Sequence, residues 1–315
     1  MGFFASLINS MPSAVAQGLI WGIMAIGVYL TYRILDVADL TVDGSLGTGG
    51  AVCVVMVLNG VPVGLALLAA TAAGMLAGLV TGLFHTACGI PAILAGILTQ
   101  LALYSINLRI MGFGTGGGKA NLPISVDKYG LLVSARYVRN VALNNPILIL
   151  TIFCAVLIAV LYWFFGTELG CSLRATGANQ NMARAQGINT NVTKVLGLMI
   201  SNGLVALAGG LLAQYQGFSD INMGRGAIVI GLAAVIIGEV IFSRIFRNFA
   251  LKLLSAVIGA IIYYIVMVFV LRLGLSTDDL KLLTALVVAL FLTIPYWKGK
   301  YSTKTSVKKG EKNHA

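Results

Sequence analysis

Charge is what this chain has least of. Only 10% of its 315 residues are Asp, Glu, Lys or Arg, against about 25% in an ordinary soluble domain. That deficit excludes a water-facing surface over most of the length. With 58% hydrophobic residues and a mean hydropathy of +0.95, the solvent implied is a lipid bilayer. No hydrophilic stretch is long enough to fold a second core, so one integral domain is expected. Histidine is nearly absent, and His85 is the only one within the apolar region. The four cysteines, Cys53, Cys88, Cys154 and Cys171, are scattered, three of them in apolar runs. That pattern suggests packing thiols and neither a disulfide frame nor a metal site. The first residues, MGFFASLINSMPSAVAQ, lack the basic region of a signal peptide, so the first apolar run is expected to be retained.

What the chain does have is long apolar runs. Candidate spans lie at 12–32, 46–60, 62–84, 90–110, 146–166, 193–216, 227–242, 253–273 and 281–297. In lipid only a helix satisfies its own backbone, so each run is predicted to be helical. The expectation is an all-α polytopic membrane bundle of about eight to ten transmembrane helices, at ~20 residues per crossing. The runs at 46–60 and 227–242 are short for a full crossing, and both follow glycine-rich polar stretches.

Basic residues set the orientation. With the lysine-rich tail (Lys298, Lys300, Lys304, Lys308, Lys309, Lys312) in the cytoplasm, the loop bearing Arg174, Arg184 and Lys194 falls on the same side. So do Arg33 and the 243–252 connection with Arg244, Arg247 and Lys252, while Asp278 and Asp279 fall outside. The long 111–145 connection opposes the contrast by placing Lys119, Lys128, Arg136 and Arg139 outside. Nine crossings then put the N-terminus outside. The tail, with six Lys and one Glu, supplies +5 of the net charge of +11 and suits an anionic inner leaflet, so membrane lipids account for it and nucleic acid is not required.

Glycine is abundant, with 38 copies. Gly74, Gly78 and Gly82 recur every four residues, as do Gly18 and Gly22, and such rows let helix backbones approach closely. Tight packing of one bundle is the plain reading, and a seam between two copies is the sharper one. Two elements carry polar residues at membrane depth. DVADLTVDGSLGTGG sets Asp36, Asp39 and Asp43 beside a small, flexible segment, and SDINMGRGAIVIGLAAVIIGE runs from Asp220 and Arg225 to Glu239. A lipid-facing carboxylate costs about 2.5–3.5 kcal/mol even on lenient scales, so these groups should face the bundle interior, a water cavity or the interface. In the assigned topology the two short elements run in opposite directions. Opposed broken helices in two halves point to a transporter; two capped loops preceding helices are the bland alternative.

Other motifs dissolve on inspection. GTGGGK (Gly114–Lys119) has Phe113 and Ala120 where a phosphate loop needs Gly and Ser or Thr. His85 and Cys88 share a turn, but two ligands do not close a zinc site. Ser45 lacks flanking glycines at the spacing of a nucleophile elbow, with Asp43 at the first position. An intramembrane hydrolase therefore ranks last, since no nucleophile, base and orienting group assemble. A secondary transporter driven by protons or sodium through Asp36, Asp39, Asp43 or Glu239 is a stronger alternative. Its carboxylates cluster near span ends, and it leaves one polar loop without a task.

That loop, ELGCSLRATGANQNMARAQGIN (Glu168–Asn189), reads as two short pieces. Gly177 is expected to end the first, and Asn179 to cap a helix stopping at Gly187. Ala178, Ala183 and Ala185 leave little bulk, Met182 offers an adaptable apolar anchor, and Arg174 and Arg184 offer charge. Such a helix could seat in a cleft of another protein; an ordinary basic cytoplasmic loop is the alternative. The region resembles the permease subunits of ATP-binding-cassette importers, in the branch that includes ribose, nucleoside and branched-chain amino-acid permeases. The matching residues are Leu169-Gly170, Arg174-Ala175-Thr176-Gly177, Ala183 and Gly187-Ile188-Asn189, with LTVDGSLGTGGAV (Leu40–Val52) and GLAAVIIGE (Gly231–Glu239). The resemblance covers most of 15–297, and DLTVDGS is most similar to permeases paired with tryptophan/tyrosine-type binding lipoproteins.

The resemblance implies a division of labour. A permease domain at 12–297, preceded by a short outer segment 1–11 and followed by a disordered basic tail 298–315, would form the path in a bacterial plasma membrane. Two copies, identical or not, would pair. An external binding lipoprotein would deliver a small solute, an amino acid and within that class an aromatic one, with sugar or nucleoside as the alternative. A partner ATPase would use ATP and Mg, leaving this chain without catalytic residue, metal or cofactor. The coupling loop at 167–192 would present Glu168, Gly170, Arg174, Ala175, Gly177, Ala183, Arg184, Gly187 and Asn189 to it. The path would run by Asp43, Gly44, Ser45, Gly47, Asn222, Gly224 and Glu239.

Overall fold

The computed structural model describes residues 3–114, 117–126, 128–138, 145–242, 245, 246, 248–272 and a few positions between 282 and 293. Most of the predicted 281–297 span and all of the 298–315 tail lie outside the described residues, as do Arg139, Arg244, Arg247, Asp278 and Asp279. Helix α1 (Phe3–Tyr29) continues into a π-helical turn, Leu30–Leu35. There follow α2 (Val42–Leu58), α3 (Val63–Thr86), α4 (Ala92–Met111), α5 (Pro146–Phe165), α6 (Glu168–Ala178), α7 (Gln180–Ala185), α8 (Thr190–Gln216), α9 (Ala227–Phe242) and α10 (Phe249–Arg272). Strands β1 (Asn121–Pro123) and β2 (Phe218–Asp220) form a small antiparallel ribbon, Asn121 opposite Asp220. Six of the helices are long and apolar enough to cross a membrane, which matches the expected helical bundle.

Helix α8 is the central post. It packs most extensively on α3 and α2 and touches α1, and most of its residues from Ser201 to Tyr215 are buried. The glycine row of α3 makes this possible. Side chains at Gly74 and Gly78 would run into the α8 backbone at Asn202 and Leu198, and Gly82 sits against Val195. Gly18 and Gly22 of α1 face Ile261 and Val257 of α10 in the same way. Both rows are therefore consumed within one chain by close backbone packing. The opposite faces of α3, α4 and α5 expose Leu68, Leu76, Leu101, Ile152, Val156 and Trp163, the apolar surface expected against lipid or another membrane chain.

One end of the bundle carries the ribbon, the end of α8 and the beginning of α5. The other carries α6 and α7, and there His85 near the end of α3 lies 3.5 Å from Lys194 near the start of α8. Helices α2 and α9 are the two shorter apolar helices. At 17 and 16 residues each spans about 25 Å, short of the ~30 Å hydrocarbon core. Their N-terminal ends meet deep in the bundle, and each runs away toward an opposite end. Two expectations need correction here. The segment DGSLGTGG is not flexible; it is the first half of α2, because Gly49 lies where any side chain would strike the carbonyl of Ala206 on α8. Nor are all four thiols packing groups: Cys53 and Cys154 are buried, whereas Cys88 and Cys171 are exposed in the turns and short helix at the α6 end.

Candidate functional site

Asp43 stands at the junction of these two short helices. It lies in the first turn of α2, and its carboxylate accepts the backbone N–H groups of Gly226 and Ile228, both at 2.9 Å, at the start of α9. The first amides of a helix have no partner inside it. Here the partner comes from 183 residues away in sequence. A negative charge also suits the positive end of a helix dipole, and two such ends converge on this residue. Gly224 buries its backbone against the carbonyl of Asp43, which brings the turn before α9 into contact with α2.

A line of buried polar groups extends from the junction through the bundle. Ser45 Oγ donates to Asn202 Oδ1 at 2.7 Å, and Asn202 Nδ2 donates to Asp39 Oδ2 at 2.7 Å. The other oxygen of Asp39 accepts from the Thr41 amide at 2.9 Å. Thr41 shares a 2.7 Å hydrogen bond with Thr81, and Thr81 donates to Thr99 at 2.9 Å. Each partner satisfies the next, which is what permits polar atoms at this depth. The network fixes α2, α3, α4 and α8 relative to one another.

Beside the junction is a cavity of about 360 Å³ lined by Asp43, Gly44, Gln100, Leu101, Tyr104, Asn107, Ile221 and Arg225. Its polar wall comes from α4, where Gln100, Tyr104 and Asn107 sit at i, i+4 and i+7 on one helix face. Asn107 is 2% exposed; its Nδ2 faces the Gly44 carbonyl at 3.5 Å, and its Oδ1 has no hydrogen-bond partner.

The predicted path residues divide accordingly. Asp43 and Gly44 line the cavity; Gly47 lies immediately behind, packed against Asn107. Asn222 and Gly224 belong to the turn that leads into α9. Ser45 faces α8 and is fully buried in the polar network. Glu239 is not in this group. It lies near the far end of α9 and pairs with Arg33 of the π-helical turn at 3.0 Å. Gln100, Tyr104, Asn107 and Arg225 were not among the predicted residues. For the three on α4 the signal was present as polar side chains spaced along one face of a mostly apolar helix.

At the α6 end, the polar loop is a compact two-helix element. Thr167 caps α6 by accepting from Gly170 N, Asn179 caps α7 by accepting from Met182 N at 3.0 Å, and Asn189 caps α8 by accepting from Asn191 and Val192. Gly187, at φ +80°, makes the left-handed turn that α7 needs to end. Gly177 does not end α6, which continues to Ala178. Its role is contact: any side chain there would meet the carbonyl of Ile34, so α6 rests directly on the π-helical turn. Gly170 packs likewise on Phe164 and Phe165. Ala183, expected to leave room for a partner, is instead buried against its own chain. Arg174 lies over the Phe249 ring at 5.6 Å, and Arg184 Nε donates to Thr190 Oγ1 at 2.8 Å. Ala175 is half-buried, while Glu168, Leu169 and Met182 remain exposed on the outer surface.

Membrane-length helices around two short helices whose N-terminal ends meet at a half-buried acid define the path-forming subunit of a membrane transporter. The family is specific. Residues 10–294 match the branched-chain amino acid transport system / permease component, and the chain belongs to that family. It is 41% identical to the tyrosine transport system permease protein of Clostridioides difficile (strain R20291), over 90% of each chain. It is 36% identical to the uncharacterized protein RP368 of Rickettsia prowazekii (strain Madrid E), over 90% of this chain and 97% of that one. The ribose import permease protein RbsC of Escherichia coli (strain K12) is 28% identical over 73% of this chain and 69% of its own. A solved structure, PsaBC from Streptococcus pneumoniae in complex with Fab, overlays with a TM-score of 0.40 at 16% identity, covering 88% of this chain and 97% of that chain, too weak a likeness to bear on the fold. The chain is thus a multi-pass membrane protein and the permease component of an ABC-type importer.

Proposed function

We propose that this chain forms the path for an amino acid, an aromatic one in preference, delivered by an external binding lipoprotein and driven by a separate ATPase that uses ATP and Mg. In this reading the α6–α7 element at 167–192 faces the cytoplasm, as does the C-terminal tail, and docks on the ATPase. The N-terminus faces outward, and a second permease copy completes the path within a bacterial plasma membrane.

The observation that carries the coupling role is the seat of α6. Gly177 rests on Ile34, the adjacent Arg33 holds Glu239 of α9, and α9 begins at Asp43. Pressure on the loop therefore reaches the junction of α2 and α9 through three packed contacts. Support for an amino acid as solute comes from the relative named as a tyrosine transport permease. The ribose permease relatives, at lower identity, support a sugar as the second reading. Ion coupling is less favoured, since the carboxylates of buried Asp39 and half-buried Asp43 are engaged by hydrogen bonds that hold the fold.

Purification of the chain from native membranes tests the assembly, with an ATPase and a binding lipoprotein expected to accompany it. Reconstitution of that complex should give tyrosine uptake that needs internal ATP. Uptake by the chain alone, driven by an ion gradient and indifferent to ATP, would overturn the reading.

A further inference from the structure

Arg174 stands where the polar α6 end of the bundle opens sideways onto its apolar surface. A cavity of about 500 Å³ lies there between α5, α6 and the beginning of α10. Its lining combines Arg174 and Asn248 with the aromatic residues Tyr162, Trp163 and Phe249, and holds no carboxylate among the described residues. Arg174, Asn248, Tyr162 and Trp163 are all exposed. Arg174 lies over the Phe249 ring and forms no ion pair with any described residue. A neighbouring cavity shares Arg174 and Phe249 and adds the exposed Lys252; the acid in its lining, Glu239, is already held by Arg33 at 3.0 Å. Along α5, Ile152, Val156, Val160 and Trp163 are each more than half exposed, and their spacing puts them on one helix face. That apolar stripe runs the length of a membrane-spanning helix and ends at the cavity. Trp and Tyr gather at the headgroup level of a bilayer, and α5 ends at Phe165, just before the polar α6 begins.

We propose that this cavity binds an anionic phospholipid from the leaflet on the α6 side, with its phosphate on Arg174 and an acyl chain along the α5 stripe. The fork of guanidinium donors matches phosphate oxygens, and the Asn248 amide adds a further donor. A basic pocket between membrane helices suits such a headgroup. Free phosphate would gain nothing from the exposed stripe. An acidic side chain of a partner protein would meet the guanidinium but leave Tyr162, Trp163 and the stripe uncovered. A lipid covers all of them at once. Bound there, it braces α6 against α10 through Arg174 and Phe249. The inference depends on neither the solute nor the ATPase of the proposed function.

Photolabelling of the full-length chain, purified alone in detergent, tests it with phosphatidylglycerol that carries a diazirine on one acyl chain. Label should fall on the α5 peptide containing Ile152–Trp163, read by mass spectrometry. Excess unlabelled phosphatidylglycerol should remove it, while phosphatidylcholine and inorganic phosphate leave most of it in place. Arg174→Gln should lower the α5 label about fivefold, the weight of one basic residue at a lipid surface, and Arg174→Lys should retain most of it. Arg174 is exposed, so neither replacement endangers folding, and circular dichroism verifies the helix content. Lipid drawn to other basic residues labels other peptides and does not enter the comparison. Equal competition by phosphatidylcholine, or an α5 label that survives Arg174→Gln, would overturn the site. Displacement by inorganic phosphate would make it a site for free anions and overturn the lipid. Loss of ATPase binding in Arg174→Gln with the α5 label unchanged would assign the guanidinium to the partner subunit instead.

Discussion

Gly177 and Asp43 show how much rests on single atoms in a bundle packed this closely. At Gly177 the absent side chain is the functional feature, since the space is filled by the carbonyl of Ile34. Gly177→Leu must push α6 away from the π-helical turn, and overpacking of this kind costs about 1–3 kcal/mol. The expected outcome is a chain that inserts and remains helical but no longer passes solute-stimulated ATP hydrolysis into uptake, read as ATPase and transport rates on one preparation. Uptake at the wild-type ratio to hydrolysis would remove Gly177 from the coupling contact. Asp43 makes the opposite point, because there the side chain replaces missing backbone partners. Asp43→Ala leaves the amides of Gly226 and Ile228 without acceptors, at about 1–3 kcal/mol each. Asp43→Asn retains one acceptor oxygen and loses only the second bond and the charge. Thermal unfolding in detergent should rank wild type above Asn and Asn above Ala, and the reverse order of the two variants would contradict the capping role.

At the scale of elements, α9 is tethered at both ends to the first half of the chain, by Asp43 at its start and by Arg33 near its finish. The second tether is a partly exposed ion pair, with side-chain exposures of 59% and 30%. Such pairs contribute no more than about 1 kcal/mol to stability, so its importance should lie in register. Arg33→Glu and Glu239→Arg are expected to reduce uptake singly and to restore much of it together, the result a double-mutant cycle reads as direct coupling. Additive losses in the double variant would show that the pair transmits nothing. The helices themselves were largely legible from apolar run length, since in lipid a run of that length has no alternative to helix. That α2 and α9 fall short of a full crossing was legible for the same reason. Their end-to-end meeting was not, because hydrogen bonds that Asp43 accepts from backbone amides 183 and 185 positions away leave no local pattern. The α4 wall lay between these cases: Gln100, Tyr104 and Asn107 are polar at helical spacing, but a single helix does not say which face will meet a cavity.

For the molecule as a whole, the glycine rows were readable as close-packing surfaces, yet only the fold shows that α8 and α10 fill them from within the same chain. Orientation is the property that charge alone carries least firmly, since the long 111–145 connection, expected on the outside, is itself basic. The cysteines provide a direct measurement without any substitution. Cys88 and Cys171 are exposed near the α6 end, while Cys53 and Cys154 are buried in the bundle. A membrane-impermeant maleimide added to intact cells should therefore label none of the four, provided the α6 end is cytoplasmic. The same reagent added to inside-out vesicles should reach Cys88 and Cys171, identified by mass spectrometry of the peptides. Cys171 belongs to α6, the element proposed to meet the ATPase, so its labelling should slow when that subunit is bound and recover when it is stripped away. Cys88 lies in the turn after α3 and away from α6 in the chain, and supplies the internal reference for that comparison. Labelling of Cys88 and Cys171 from outside intact cells would invert the topology, and equal labelling of Cys171 with and without the ATPase would move the docking surface off α6.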